Sequence, residues 1–100
     1  FRPVRRWRRA RDLCLTLGAK MCIEDTWGSD VTTAAALDLA AATPEHAIMN
    51  SCDLSAYVAP RLDPKAPVRE GGHIAPPQGS GLGVSPDPAA LGTPILDLTG

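Results

Sequence analysis

The stretch KMCIEDTWGSDVTTAAALDLAAATPEHAIMN, residues 20–50, decides the fold. It begins with a short apolar run at 20–23 and ends with another at 47–49. Between them, residues 31–42 are rich in alanine and contain no glycine or proline. Short apolar runs are typical of buried parallel strands, and alanine has the highest helix propensity. The order strand, helix, strand therefore predicts a parallel, right-handed crossover unit.

The central helix, 31–42, has recognisable boundaries. Ser29 or Asp30 can cap its start by accepting a hydrogen bond from a free backbone N–H group, and Pro44 ends it. An acidic residue at a helix start also interacts favourably with the helix dipole. For Asp30 we therefore favour capping over a functional role.

A first helix is predicted at 3–17, followed by Gly18 in the left-handed conformation that often ends helices. Apolar residues recur there at spacings of three and four, which gives one apolar stripe. Six of the ten basic residues are arginines of this helix: Arg2, Arg5, Arg6, Arg8, Arg9 and Arg11. Such a cluster can bind nucleic acid or a protein partner. Because no aromatic ladder accompanies it, we expect a solvent-facing surface and no nucleic-acid partner.

The composition changes at Pro60. Eight of the ten prolines and seven of the nine glycines lie at 60–100. We expect one helical turn at 54–58, then an extended segment with turns and at most short strands near Val68 and at 94–98. Residues 1–59 should form one unit, and residues 60–100 an extended segment that wraps another body of protein.

Several features indicate a piece of a longer protein. One crossover unit leaves both edges of its sheet open, and position 1 is not methionine. Cys14, Cys22 and Cys52 match no metal or disulfide pattern, so we expect reduced, mostly buried thiols of a cytoplasmic protein. No stretch approaches the roughly 18 apolar residues of a membrane-spanning helix, and we expect no membrane partner.

Both predicted strands end in carboxylates, with Glu24 and Asp25 after the first and Asp53 after the second. In barrels and open parallel sheets, the carboxyl ends of strands line the active site. Acidic groups there can bind a metal, transfer protons or hold a cationic substrate, and they can equally be structural. For Asp25 and Asp53 both interpretations stay open. Trp27, in the loop after the first strand, could stack on a substrate or pack under the loop.

The run at 22–30, with residues 34–44, resembles the seventh strand, loop and helix of the barrel in the mandelate racemase/muconate lactonizing enzyme family of the enolase superfamily. Residues 50–54 resemble the end of its eighth strand. Residues 79–87 resemble its glycine-rich closing segment, which returns toward the capping domain. The resemblance implies an α/β fold that forms the C-terminal portion of a (β/α)8 barrel, with an extended Pro/Gly-rich tail.

The resemblance also implies a chemistry. The family uses one Mg²⁺ ion, held by carboxylates of the third to fifth strands, to stabilise the enediolate formed when a base removes a proton beside a carboxylate. Lysines of the second and sixth strands serve as bases in the lactonizing branch. None of these strands corresponds to this sequence. We therefore assign it no catalytic residue and no metal ligand, and expect these 100 residues alone to be inactive and metal-free.

The racemase branch has a histidine at the end of strand seven, where this sequence has Glu24-Asp25. The sequence is more similar to members that act on amino acids or betaines, such as hydroxyproline epimerases and dehydratases. This similarity implies a substrate site that includes Glu24, Asp25, Trp27 and Asp53, in which Asp25, together with Asp53, faces a cationic nitrogen of the substrate. The expected partners are a small cationic carboxylate substrate, the rest of the barrel, the capping domain and further copies in a homo-oligomer.

Overall fold

The computed structural model describes residues 2–96 and 98, with side chains from Val4 onward. Within these residues, two α-helices and two strands alternate: α1 at Arg2–Thr16, β1 at Met21–Glu24, α2 at Asp30–Ala41 and β2 at Ile48–Cys52. Short 3₁₀ helices follow at Glu45–Ala47, Leu54–Tyr57 and Pro88–Leu91.

These bounds confirm the predicted helix–strand–helix–strand order. β2 continues three residues beyond the predicted apolar run because its parallel register pairs Cys52 with Glu24 of β1. The short strand expected near Val68 is wrong, since backbone pairing in that region is a single bridge between Glu70 and His73. The 3₁₀ helix at Pro88–Leu91 was not predicted. The segment 94–98 includes Asp97, which lies outside the described residues.

β1 and β2 form a two-stranded parallel sheet, and α2 is the crossover between them. The small core consists of apolar side chains of α2, β1, the connection to β2 and the tail: Ile23, Ala34, Ala36, Leu37, Ala47 and Ala66. Alanine at two of the buried helix positions allows α2 to lie close to the strands. The dense alanine of α2 therefore serves packing as well as helix propensity.

Ser29 is the N-cap of α2, and its hydroxyl accepts a hydrogen bond from the Val31 N–H at 3.3 Å. Asp30 is the first helical residue. The sequence allowed either residue to cap the helix and favoured capping for Asp30, but the N-cap is Ser29. The Asp30 carboxylate bonds to the segment after Pro60 instead.

α1 packs less closely than α2. Among residues 4–16 no side chain is fully buried, and Trp7 and Cys14 are half-buried. A groove of about 270 Å³ separates α1 from β1 and is lined by Trp7, Cys14 and Met21, among others. Arg11 ties α1 to the end of α2 by donating to the Ala42 carbonyl at 3.2 Å. Gly18 ends the helix region with φ of 66°, as predicted.

The three cysteines are free thiols, and none of them is buried. The expectation of mostly buried thiols is therefore wrong. Cys22 is exposed because it projects from the face of the sheet that α2 does not cover. Among the described residues, no helix combines the length and the apolar character needed to cross a bilayer.

The segment after Pro60 is attached to α2 by the buried carboxylate of Asp30. This carboxylate accepts from Arg61 Nε at 3.2 Å and Nη2 at 2.8 Å, and from the N–H groups of Leu62 at 2.9 Å and Asp63 at 3.1 Å. Four donors on one buried carboxylate satisfy its acceptor capacity. The first turn of α2 therefore anchors the start of the tail.

Asp63 repeats this arrangement further along the tail. Its carboxylate accepts from the N–H groups of Lys65 and Ser85, both at 2.8 Å. The Asp87 N–H donates to the Leu62 carbonyl at 2.7 Å and closes the same loop. Residues 61–87 are thus held by backbone hydrogen bonds to buried acidic side chains, with little regular secondary structure.

Candidate functional site

The candidate site lies at the carboxyl edge of the parallel sheet, where β1 and β2 both end. Asp25 is fully buried there, with 0% of its surface exposed. It accepts hydrogen bonds from the Thr33 hydroxyl and from the N–H groups of Leu54 at 2.7 Å and Ser55 at 3.1 Å. One carboxylate therefore joins the end of β1, the first turns of α2 and the 3₁₀ helix that follows β2.

Burial alone would raise the pKa of Asp25, because desolvation disfavours the charged form. Hydrogen bonds from the Thr33 hydroxyl and from the backbone N–H groups of Ser55 and Leu54 act in the opposite direction. Together they outweigh the desolvation, and the pKa of Asp25 lies below its ordinary value. The carboxylate is thus ionised at neutral pH.

Side chains alternate between the two faces of a strand. Asp25 bonds to Thr33 of α2, and Ile23 is buried with it, so this face of the β1 end packs against the helix. Cys22 and Glu24 lie on the opposite face and are exposed. Of the two neighbouring acids, Glu24 is therefore the one that solvent can reach.

Asp53, directly after β2, is also buried, with 4% of its surface exposed. Its carboxylate forms an ion pair with the guanidinium of Arg69 in the tail. Hydrogen bonding to Asp53 and its charge, followed by hydrogen bonding to the Tyr57 hydroxyl, raise the pKa of Arg69 above its ordinary value. The ion pair with Asp53 thus places the positively charged guanidinium of Arg69 at the end of β2.

Trp27 occupies the loop between β1 and α2 in a left-handed backbone conformation, with φ of 57°. For a bulky residue this conformation costs about 1–2 kcal/mol. The indole is 58% exposed, and its centroid lies 6.0 Å from the ring of Tyr57, with 40° between the ring planes. Tyr57 is itself 70% exposed, so Trp27 has one tilted aromatic neighbour and otherwise largely faces solvent.

Gly28 allows the loop to approach α2. A Cβ atom at this position would lie 2.7 Å from the Cβ of Thr32, which is closer than van der Waals contact permits. The glycine after Trp27 is therefore required by the packing of the loop on the first turn of α2.

The structure places Asp25, Trp27 and Asp53 at this edge: Asp25 bonds to the two residues that follow Asp53, and Trp27 lies beside Tyr57 of the same 3₁₀ helix. Glu24 lies at the same edge on the opposite face of the sheet. The sequence did not point to Thr33, Tyr57 or Arg69, which contact Asp25, Trp27 and Asp53, respectively, from 8–30 positions away in the chain.

A local sequence pattern could have identified Asp63 as a residue whose side chain bonds to the backbone, but no local pattern could have identified the partner of Arg69. The run Asp63-Pro64-Lys65 has the composition of an Asx-turn, and the Lys65 N–H does bond to the Asp63 carboxylate. Arg69 pairs with a residue sixteen positions earlier, and no local pattern encodes that contact. Within residues 2–96, no group of three His, Cys, Asp or Glu side chains is arranged to hold a metal ion.

Residues 4–90 match the family described as enolase C-terminal domain-like. The chain is 39% identical over 85 residues to a cis-3-hydroxy-L-proline dehydratase of Roseibium aggregatum, covering 85% of this chain and 23% of that protein.

Solved structures of enolase superfamily members are also similar to this chain. A mandelate racemase/muconate lactonizing enzyme from Roseovarius nubinhibens ISM superposes with a TM-score of 0.83 at 33% identity, covering 93% of this chain and 25% of that one. A member of the enolase superfamily from the same organism, complexed with magnesium, gives a TM-score of 0.82 at 40% identity over 89% of this chain and 24% of that one. The chain thus spans about a quarter of the length of these relatives.

Proposed function

Because the chain belongs to the mandelate racemase/muconate lactonizing enzyme family of the enolase superfamily, we propose that it is the seventh and eighth strand region of a (β/α)8-barrel enzyme. Residues 1–59 supply the last βα units, and residues 60–100 return toward the capping domain. The parallel pair with one crossover helix supports this assignment, since a barrel repeats that unit.

One observation carries the functional proposal: polar and aromatic side chains converge at the carboxyl edge of the sheet. The hydrogen bonds from Leu54 and Ser55 to Asp25 join the two strand ends at this edge, which is where barrel enzymes build their active sites. A purely structural strand end would not require an exposed Glu24 and a half-exposed Trp27 beside it.

The longer enzyme removes a proton from the carbon beside a carboxylate of a small substrate. Returning the proton to the other face gives epimerisation or racemisation, and expulsion of a β-hydroxyl group gives dehydration. Expulsion of a β-carboxylate that is part of a lactone opens the ring, and cycloisomerisation is this reaction in the opposite direction, with the proton added at the same carbon. The described residues contain no cluster that fits a metal ion. In the family, the metal ligands and the lysine bases lie on the second to sixth strands, which do not correspond to this sequence, so we place Mg²⁺ and these lysines on parts of the protein outside this chain.

The proposed contribution of this chain is recognition of a cationic nitrogen, as in an amino acid or a betaine. Glu24 is suited to direct contact because it is exposed on the face that α2 leaves open. Trp27 offers an aromatic face, which attracts cations. Asp25 and Asp53 are buried and already bonded, which favours a positioning role, and direct contact of Asp25 with substrate stays a prediction.

The test is hydrogen exchange in the longer protein. Deuterium incorporation at the α-carbon in D₂O reports proton abstraction followed by reprotonation, and loss of substrate reports abstraction followed by elimination. We expect incorporation into cationic amino acids or betaines and a raised KM in Glu24→Gln, because the attraction between carboxylate and ammonium is lost. Glu45→Gln, exposed in the connection before β2, is the matched control. Absence of both α-exchange and substrate loss in every amino acid and betaine tried would rule the proposal out.

A further inference from the structure

We propose that Asp25 acts on a cationic substrate without touching it: its buried carboxylate holds Tyr57 beside Trp27, and the two rings receive the nitrogen. The inference rests on the proposed function, in which Trp27 contacts substrate. It adds Tyr57 as a second contact. It also makes Asp25 a positioning residue, whereas the sequence resemblance implied that Asp25 itself faces the nitrogen.

The hydrogen bonds of Asp25 reach the element that carries Tyr57, which is the last residue of the 3₁₀ helix Leu54–Tyr57. The Leu54 N–H donates to one carboxylate oxygen of Asp25 at 2.7 Å, and the Ser55 N–H donates to the other oxygen at 3.1 Å. Because each oxygen holds one of these N–H groups, the first two residues of this short helix are fixed relative to the end of β1.

Trp27 lies two residues after Asp25, so the same carboxylate sets the spacing of both rings. The Trp27 backbone is left-handed, with φ of 57°, a conformation that persists in a bulky residue where the surroundings enforce it. Gly28, the next residue, approaches Thr32 of α2 closely. The ring centroids of Trp27 and Tyr57 lie 6.0 Å apart, within the range of interacting aromatic pairs.

The two rings are exposed to solvent instead of being packed into the core. More than half of the surface of each residue is exposed, and the rings are tilted by 40° relative to each other. Packing therefore does little to fix Tyr57, and its position depends on the short helix to which Asp25 bonds. An exposed aromatic pair at the carboxyl edge of a parallel sheet is suited to contact with a ligand.

The charges at this edge favour a cation as that ligand. Two of the buried carboxylates have an arginine partner, in the pairs Asp30–Arg61 and Asp53–Arg69. The described partners of Asp25 are all uncharged, namely one hydroxyl and two N–H groups. Its negative charge is thus not neutralised within the described residues, and aromatic faces also attract cations. A protonated or alkylated amine is the ligand that both features favour.

The first test is spectroscopic and needs neither substrate nor metal. Tyr57 is the single tyrosine of the chain, and Trp7→Phe leaves Trp27 as the single tryptophan. In that background, the interaction between the two rings should contribute to the near-UV circular dichroism of Trp27. Tyr57→Leu should remove this contribution and gives the reference signal of Trp27 without its neighbour.

Asp25→Asn should bring the tryptophan signal toward the Tyr57→Leu level, with helix content retained in the far-UV spectrum. The two backbone N–H groups bond to different oxygens of Asp25, and an amide can accept with only one of its two terminal atoms. One of the two bonds must therefore be lost. Thr33→Val removes another bond to the same carboxylate but leaves both backbone N–H groups in place, so the signal should be retained.

Leu54→Pro tests the same contact from the side of the helix. Proline is accepted at the first position of a helix, and here it removes the N–H donor without changing the charge of Asp25. The tryptophan signal should again move toward the Tyr57→Leu level.

Asp63→Asn is the matched control, since Asp63 is also a buried aspartate whose two oxygens accept from different backbone N–H groups. It has no described contact with either ring, so the signal should equal that of the Trp7→Phe background. An unchanged tryptophan signal in both Asp25→Asn and Leu54→Pro, or an equal change in Asp63→Asn, would overturn the inference.

The second test uses the longer protein. There, Tyr57→Leu should raise KM for cationic substrates by roughly fivefold, the scale of one cation–π contact, with kcat retained. Asp25→Asn should also raise KM, but by a smaller factor in the Tyr57→Leu background than in the parent, because part of its effect passes through Tyr57. Equal factors in the two backgrounds would show that Asp25 acts independently of Tyr57 and would contradict the inference.

The two tests distinguish the inference from the proposed function. Absence of both α-exchange and substrate loss in the longer protein would rule out the proposed function. The circular dichroism comparison is measured without substrate, so it would still decide whether Asp25 positions Tyr57.

Discussion

At the scale of single residues, Asp25 combines complete burial with a lowered pKa. Burial raises the pKa of a carboxyl group, and hydrogen bonds to its charged form lower it. The direction of the pKa shift therefore depends on how many hydrogen-bond donors the fold supplies. The Thr33 hydroxyl and two backbone N–H groups are sufficient here. These donors come from elements on both sides of the strand, so the charge of Asp25 is a consequence of the tertiary fold.

Asp25→Asn tests this role. The amide keeps the shape of the carboxylate but cannot accept with both of its terminal atoms, so one buried donor loses its partner. We expect the free energy of unfolding at pH 7 to fall by about 1–3 kcal/mol in chemical denaturation. Asp12→Asn, at an exposed site on α1, is the control with little expected effect. Unchanged stability in Asp25→Asn would mean that the hydrogen bonds around Asp25 contribute no net free energy.

Gly28→Ala tests the close approach of the loop to α2. The added methyl group would overlap the side chain of Thr32, which must shift. Overpacking of this kind costs about 1–3 kcal/mol of unfolding free energy. Adding Thr32→Ala, which removes two of the overlapping atoms, should recover part of the loss. An unchanged unfolding free energy in Gly28→Ala would show that the loop or Thr32 can move to accommodate the methyl group at little cost.

At the scale of elements, α1, α2, β1 and the start of β2 could be predicted from local pattern, because each is encoded by spacing, propensity or a boundary residue within a few positions. The tail could be predicted only as extended. Its attachment depends on Asp30, Asp63 and Asp53 finding partners far along the chain, and composition carries no information about those pairs. Similarly, the sequence does not show which of the two neighbouring acids, Glu24 and Asp25, is buried. Side chains alternate between the faces of a strand, so the burial of Ile23 places Asp25 on the buried face and Glu24 on the exposed one.

The cap of α2 gives a prediction at this scale. Ser29→Ala removes the acceptor for the Val31 N–H and should lower the unfolding free energy by about 1 kcal/mol. Ser29→Asp keeps an acceptor near the positive end of the helix and should retain stability. Equal stability of the two variants would indicate that the hydrogen bond of 3.3 Å adds nothing to the helix.

At the scale of the whole molecule, carboxylates make most of the described contacts that hold the residues after Pro60, and Ala66 is the single buried apolar side chain among the described residues of this segment. Asp30→Asn removes the charge that Arg61 and two backbone N–H groups share. We expect trypsin to cut faster at Lys65 and Arg69, while α2 and the sheet keep their secondary structure by circular dichroism. Asp38→Asn, also on α2, is the matched control. Equal cleavage rates in the two variants would show that the Asp30 carboxylate does not anchor the tail.

The same carboxylates make stability depend on acid. The Ser85 and Lys65 N–H groups lower the pKa of Asp63, and that of Asp25 is lowered as well, both from an ordinary value of 3.8. A group with a lowered folded-state pKa adds stability above its unfolded-state pKa, and this is lost as the pH falls through the folded-state value. Unfolding free energy should therefore decline below about pH 4. Asp63→Asn should make the decline shallower, and an unchanged slope would contradict this account.

The two-stranded sheet has a consequence for handling the chain by itself. Within the described residues, β1 and β2 hydrogen-bond along one side each, so each strand presents an outer row of N–H and C=O groups to solvent. Such rows are templates for strands of other polypeptides. The exposed side chains of Cys22 and Met49 do little to repel an incoming strand. At high concentration this molecule should therefore grow by edge-to-edge addition, and a short peptide that occupies either edge should keep it monomeric.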